Sequence, residues 1–281
     1  MVRLGAVDVG TNSTRLLVAD AAGDDLVAVV RRARVTRLGE GVDAGRRLLP
    51  AAIARVHAAV ADYRRELDLL GAARTTAVGT SAVRDAANGA DFMRELAERF
   101  GFESAVLSGD EEAALTRRGV GAHGERTLVV DVGGGSTELI AGERRVSLDV
   151  GSVRLTERFL RSDPPEPREL EAAAAAVRSL LPPLDVDAAV GVAGTVAQLR
   201  ELAGELTAAS VGAELERLAA LPLAERRLVP RLDPDRAPVI VAGALIVREV
   251  LRRYELPRVD FSERDLLDGV IYSMLRLRHL A

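Results

Sequence analysis

The 281-residue chain has no cysteine, no tryptophan and no lysine. Without cysteine there is no disulfide, no zinc–thiolate site and no thiol nucleophile. Without lysine there is no Walker-type Gly-Lys-Ser/Thr phosphate loop and no Schiff-base amine, and all 38 basic residues are arginines. Aromatic residues make up 3% of the chain, too few to build platforms for stacked bases, so DNA is not an expected partner. A net charge of −4 shows no global basic footprint, and any anion site must be local. No apolar run reaches the length of a bilayer span, and Met1-Val2-Arg3 leads into a strand pattern rather than a signal peptide. A cytoplasmic protein without membrane contact is the expectation.

What is present is a core-forming composition, 48% hydrophobic and built from Leu, Val, Ile and Ala. One unusual stretch occurs twice. Residues 7–17 read VDVGTNSTRLL and residues 130–140 read VDVGGGSTELI. The copies lie 123 residues apart, too far for a solenoid repeat, and point to a duplicated α/β domain. Around each copy the pattern repeats. Leu4–Val9, Arg15–Asp20 and Leu26–Thr36 read as strands, with a hairpin signal at 22–25. A helix is expected over 50–70, opened by Pro50 and closed by Gly71. A strand at Thr75–Val78, a helix near 91–100 and a strand at 105–107 follow. Ser108-Gly-Asp-Glu111 then has the form of a capping box. Gly119, Gly121 and Gly124 form the expected flexible boundary, giving domains of 1–122 and 123–281. In the second, strands are expected at 127–132, 137–141, 144–150 and 190–193, with helices near 152–160 and 169–181, one starting at Gly194, and two long ones at 238–253 and 263–277.

The repeated turn places an acid at a strand end, then glycines, then hydroxyls. Glycines let the backbone adopt positive φ and approach a ligand, and successive N–H groups can form an anion nest. An acid cannot face a phosphate without an intervening cation, so Asp131 implies magnesium or a water. A plain hairpin would explain one copy; two copies favour phosphate clamps. The three histidines are read as structural (His57 on an amphipathic helix, His123 in the linker, His279 at the end), which makes a Ser-His-Asp hydrolase a poor fit.

Val7-Asp-Val-Gly-Thr-Asn-Ser-Thr, Ser108-Gly-Asp-Glu-Glu-Ala and Val130-Asp-Val-Gly-Gly-Gly-Ser-Thr-Glu resemble, in order, the motifs of the exopolyphosphatase / guanosine pentaphosphate phosphatase (Ppx/GppA) family. Gly79-Thr-Ser-Ala-Val-Arg84 and Ala193-Gly-Thr195 extend the match. The resemblance implies two similar ribonuclease H-like (actin-like ATPase) α/β domains around a cleft, with substrate between them. It implies magnesium- or manganese-dependent hydrolysis of a terminal phosphoanhydride bond by direct attack of water. Inorganic polyphosphate or guanosine pentaphosphate would be the substrate, and a homodimer is a possible assembly. By similarity Glu112 is the general base, while Glu111 belongs to the capping box. Asp8, Asp131 and Glu138 are the metal-side acids. Asn12, Ser13, Thr14, Gly133, Gly134, Gly135, Ser136 and Thr137 would bind phosphate, and Arg84 is the cationic clamp, with ordinary pairing to an acid as its alternative. The Arg31, Arg32, Arg34 and Arg37 cluster reads as a solvated strand edge. A kinase or ATPase of the same superfamily, and a non-enzymatic polyphosphate or alarmone sensor, are the competing functions.

Overall fold

A computed structural model describes every residue except 23, 24, 122 and 277–281; the tip of the expected hairpin, the last residue of the expected final helix and His279 lie outside the described residues. The chain divides into two compact units, Met1–Ala122 with Arg264–Ala281, and His123–Glu263.

The first unit runs β1 (Val2–Val9), β2 (Ser13–Ala22), β3 (Asp25–Val35), α1 (Val42–Gly45), α2 (Pro50–Leu70), β4 (Arg74–Gly79), α3 (Ser81–Asp85), α4 (Gly89–Phe100), β5 (Glu103–Val106) and α5 (Gly109–Val120). Its sheet has the order β3-β2-β1-β4-β5, with β1–β3 an antiparallel meander and β4 and β5 parallel to β1. Both faces of the sheet are covered, which is why β1 and β2 read as nearly continuous apolar runs. Val7, Val9, Leu16 and Val18 pack with α2 and α4 through Val56, Val60, Leu67 and Met93. Leu4, Ala6, Leu17 and Ala19 form the opposite layer. Pro50 occupies the first turn of α2, and Gly71 ends it in the left-handed conformation at φ 68, a position few other residues tolerate.

The second unit repeats the plan: β6 (Thr127–Val132), β7 (Thr137–Ala141), β8 (Arg144–Leu148), α6 (Ser152–Phe159), α7 (Pro167–Leu180), β9 (Ala188–Val192), α8 (Ala193–Ala203), α9 (Ala208–Ala219), α10 (Leu223–Arg226), α11 (Ile240–Arg253) and β10 (Asp260–Phe261). Read from its β8 edge, the sheet order is β8-β7-β6-β9-β10, the same antiparallel meander followed by two parallel strands. The core gathers around α11, whose Ile240, Leu245, Ile246 and Val250 are buried. Each unit is thus a five-stranded mixed sheet flanked by helices, the duplicated α/β plan expected from the repeated motif.

Two expectations are corrected. The last helix, α12 (Leu266–Arg276), was assigned by sequence to the second domain and belongs to the first unit. Its stripe of Leu266, Leu267, Val270, Ile271 and Met274 covers the β1–β2 face that α2 and α4 leave open. Gly119 is not part of a flexible linker. It lies inside α5, where an added Cβ would come within 1.8 Å of the Asp265 carbonyl, and Gly269 meets the Leu115 carbonyl in the same way at 1.9 Å. These glycines are packing residues that let α5 and α12 cross closely. No helix among the described residues is long and apolar enough to cross a membrane.

Candidate active site

In the first unit the carboxyl ends of parallel strands β1, β4 and β5 release three segments: the turn 10–12, α3 and α5. This is where open α/β sheets hold ligands. Backbone bonds tie the segments together, from Thr80 N–H to the Val9 carbonyl (3.5 Å) and from Leu107 N–H to the Gly79 carbonyl (2.9 Å). The turn closes by Gly10 N–H to the Ser13 carbonyl (3.1 Å). Its other carbonyls are drawn away: Thr11 O accepts from Gly39, and Asn12 O from Thr36 and Arg37. Tyr63 donates to the Thr14 carbonyl at 2.9 Å, and burial pushes its phenol up to about 12. The Thr11 hydroxyl accepts from Ala82 N–H, fastening the turn to α3. The N–H groups of Thr11 and Asn12 then donate to no backbone carbonyl among the described residues.

The second unit repeats this. Gly133 N–H donates to the Ser136 carbonyl (3.0 Å), while the carbonyls of Gly133 and Gly134 accept from Ser152, Val153 and Arg154 at the start of α6. Gly134 and Gly135 N–H groups make no backbone bond among the described residues. Both turns thus have the amide pairs that an anion nest needs. The reason for the glycines differs from the expected one: none of Gly133, Gly134 and Gly135 is among the left-handed glycines. Close approach accounts for two neighbouring glycines: a Cβ on Gly133 would lie 3.0 Å from the Ser136 carbonyl, and one on Gly151 2.5 Å from the Gly134 carbonyl.

Thr14 and Thr137 were expected among the phosphate ligands, and their hydroxyls are committed to the fold. Thr14 Oγ1 lies 2.9 Å from Thr36 Oγ1, and Thr137 donates to the Val150 carbonyl at 2.5 Å; both threonines are fully buried. Ser13 differs. Its hydroxyl oxygen is buried and has no hydrogen-bond partner among the described residues, and the same holds for Oδ1 of Asp8.

The structure brings Arg84 and Glu112 together. Arg84, at the end of α3, donates through Nη1 to the Leu107 carbonyl (2.7 Å) and to Glu112 Oε2 (3.2 Å). Glu112 is only 7% exposed. Its neighbour Glu111 behaves as the capping box requires: its carboxylate accepts from Ser108 N–H at 2.8 Å while its own N–H donates to Ser108 Oγ at 3.2 Å. Those bonds hold the Glu111 carboxyl below its ordinary range. The two adjacent glutamates therefore have different tasks.

The metal-side acids are not equivalent. Asp8 opposes Arg15 across β1–β2, whereas Asp131 opposes Glu138 across β6–β7. Arg15 Nε and Nη2 both reach Asp8 Oδ2 at 2.8 Å, so Asp8 differs from Asp131 in having an arginine across the hairpin, on one of its two oxygens. Burial raises the Asp8 carboxyl, against the lowering effect of Arg15. Directly opposed residues share a sheet face with their Cβ atoms about 4.5–5.5 Å apart, so Asp131 and Glu138 put two carboxylates side by side, 6% and 1% exposed. Glu138 Oε1 also accepts from Ser147 at 2.8 Å. No cluster of three or more acids or histidines suited to a metal occurs among the described residues. Two carboxylates nevertheless fit magnesium, which is typically held by one or two acids together with waters and substrate phosphates.

Sequence reasoning missed Asp265 and Asp268, which bind Arg15 and Arg31, and Arg154, which is buried beside Gly134 with Nη1 3.1 Å from Asp149. No local pattern could pair Arg15 with Asp265 or Arg31 with Asp268, which lie 250 and 237 residues apart. Arg31, Arg32 and Arg34 are paired with Asp268, Glu66 and Asp62, consistent with a structural strand edge. His57 stacks on Phe92 at 5.8 Å, away from the turns.

Residues 17–278 match the model of the Ppx/GppA phosphatase family. Exopolyphosphatase 2 of Mycobacterium tuberculosis is 39% identical, with 98% of this chain and 99% of that protein covered. Exopolyphosphatase 1 of Mycobacterium leprae is 30% identical, covering 98% and 90%. Among solved structures, an exopolyphosphatase from Cytophaga hutchinsonii superposes with a TM-score of 0.89 at 25% identity over 98% of each chain. The Ppx/GppA family member from Aquifex aeolicus gives 0.77 at 28% identity over 99% of this chain and 98% of that one. The duplicated turn, the paired Arg84 and Glu112 and these full-length likenesses agree that the chain is a phosphohydrolase belonging to the Ppx/GppA phosphatase family.

Proposed function

We propose that this enzyme removes terminal phosphoryl groups from inorganic polyphosphate as orthophosphate, with guanosine pentaphosphate as a second substrate. The observation that carries the reading is the division between neighbouring acids: Glu111 caps α5, and Glu112 is buried at the carboxyl end of the sheet against Arg84. A carboxylate so held suits a general base. The oxygen of a water attacks the terminal phosphorus, its proton passes to the Glu112 carboxylate, and the bridging P–O bond breaks to leave the shortened chain. Arg84 orients Glu112 and adds positive charge beside it. The amides of Thr11, Asn12, Gly134 and Gly135, with the Ser13 hydroxyl, are donors for phosphate oxygens, and phosphoryl transfer needs such positioning more than covalent catalysis. Asp131 and Glu138 would hold magnesium, or manganese in its place, which supplies charge neutralisation on the phosphate oxygens. The polyphosphate assignment draws its support from the exopolyphosphatases this chain resembles.

The test is phosphate release on polyphosphate, guanosine pentaphosphate and ATP side by side, with and without EDTA. Polyphosphate should be turned over fastest and EDTA should abolish release. Glu112→Gln should lower turnover by about 10²–10⁴-fold with substrate binding retained. Preferred ATP turnover would favour a kinase-like or ATPase role, and an active Glu112→Gln enzyme would reassign the base.

A further inference from the structure

Arg15 lies between two carboxylates whose positions are 257 residues apart in the chain, Asp8 on β1 and Asp265 just before α12. Nε and Nη2 are directed at Asp8, and both reach the same oxygen, Oδ2, at 2.8 Å. Nη1 donates to Asp265 Oδ2. Asp265 is itself locked: its Oδ1 accepts from Leu267 N–H at 2.9 Å, and its own N–H donates to Asp268 Oδ2 at 3.0 Å. Asp268 in turn holds Arg31 at 2.7 Å. The Asp265 carbonyl lies where Gly119 of α5 has no side chain, so α12 is seated against the helix whose first turn carries Glu112.

A guanidinium and a carboxylate ordinarily pair fork to fork, using both oxygens. Here they do not. Oδ1 of Asp8 is buried with no hydrogen-bond partner among the described residues, and so is the Ser13 hydroxyl oxygen on the other arm of the same hairpin. Leaving a buried carboxylate oxygen unmatched is unfavourable, so something must keep Arg15 from rotating to cover it. The bond from Nη1 to Asp265 does that.

We propose that Asp265 is a positioning residue for the phosphate turn of the first unit. It fixes Arg15 so that only one oxygen of Asp8 is neutralised, and the other remains available to the hydrated magnesium–phosphate ligand. The inference rests on the phosphohydrolase reading of this turn. Asp265 never touches the ligand; it acts through Arg15 and Asp8.

The test is a double-mutant cycle on Asp265→Asn and Asp8→Asn. It is read by binding of magnesium imidodiphosphate in titration calorimetry and by KM and kcat on polyphosphate. Asp265→Asn keeps the size and an acceptor oxygen but removes the charge that holds Arg15. Binding should weaken about tenfold, in line with other residues that orient a ligand from behind, with kcat changed less than about threefold. The same substitution should add little in the Asp8→Asn background, because both act on one oxygen. Asp265→Glu, which restores the charge, should recover most of the binding, and it also covers the case in which the asparagine variant does not fold. A fall in melting temperature with affinity unchanged, or full additivity with Asp8→Asn, would overturn the proposal. If the wild-type enzyme neither binds the analogue nor releases phosphate, the functional reading of the turn fails instead, before the variants are compared.

Discussion

The two glycine turns share one backbone and differ at one decisive pair. In each, the glycine after the acid donates its N–H to the serine three residues on, at 3.1 Å in the first turn and 3.0 Å in the second. Each leaves two successive amides without a backbone acceptor among the described residues, and each anchors its threonine hydroxyl in the core. The residue facing the acid, however, is Arg15 in one case and Glu138 in the other. The first turn sets an arginine across the hairpin from its acid. The second sets another acid there. Duplication preserved the hydrogen-bonding frame while the facing position diverged, so one frame serves two electrostatic tasks.

Breaking that difference should have the largest effect. Glu138→Arg would give the second turn the acid–arginine pair of the first. If the paired acids exist to hold magnesium, activity should fall about 10³-fold, the upper range for losing one element of transition-state electrostatics. Glu138→Gln removes the charge without adding bulk and should fall in the same direction. Phosphate release across a magnesium titration checks both, and activity retained at ordinary magnesium would remove Glu138 from the metal site.

The reverse experiment removes the counter-ion from the first turn. Arg15→Met leaves Asp8 and Asp265 buried without the cation they share, and losing one partner of a buried ion pair typically costs about 3–5 kcal/mol. Denaturant unfolding should show that loss. A stability change below about 1 kcal/mol would mean that water compensates these acids and that the pair does not define the turn.

Much of this was legible in the sequence. The apolar runs of β1, β2, β6 and β7 mark strands covered on both faces, and the Ser108–Glu111 spacing marks a helix start that the hydrogen bonds reproduce. The repeated motif located both turns. What stayed hidden depends on partners far along the chain. Nothing periodic ties Asp265 to Arg15, and the stripe on α12 fits either unit until a sheet face needs covering. Gly119 reads as a flexible glycine because the backbone it touches is about 150 residues away. Helix α9 escaped notice because its capping box uses Ser210 where a glutamate is the usual signal, and Gly212 interrupts its pattern.

The smallest expected effect sharpens the shared part of the comparison. Thr14 and Thr137 lie in register with Val9 and Val132, and each hydroxyl bonds a buried group of its own unit, the Thr36 hydroxyl and the Val150 carbonyl. Valine has nearly the same shape, so Thr14→Val and Thr137→Val should each lose one buried hydrogen bond and leave its partner unmatched. The expected cost is about 1–2 kcal/mol in each case, with KM for polyphosphate changed less than about twofold. Equal losses would identify the threonines as common parts of the hairpin frame. If either variant instead kept its stability but bound substrate about tenfold more weakly, that hydroxyl would have to turn from the core to the ligand during the reaction. The original expectation of threonine as a phosphate ligand would then hold for that turn and not for the other.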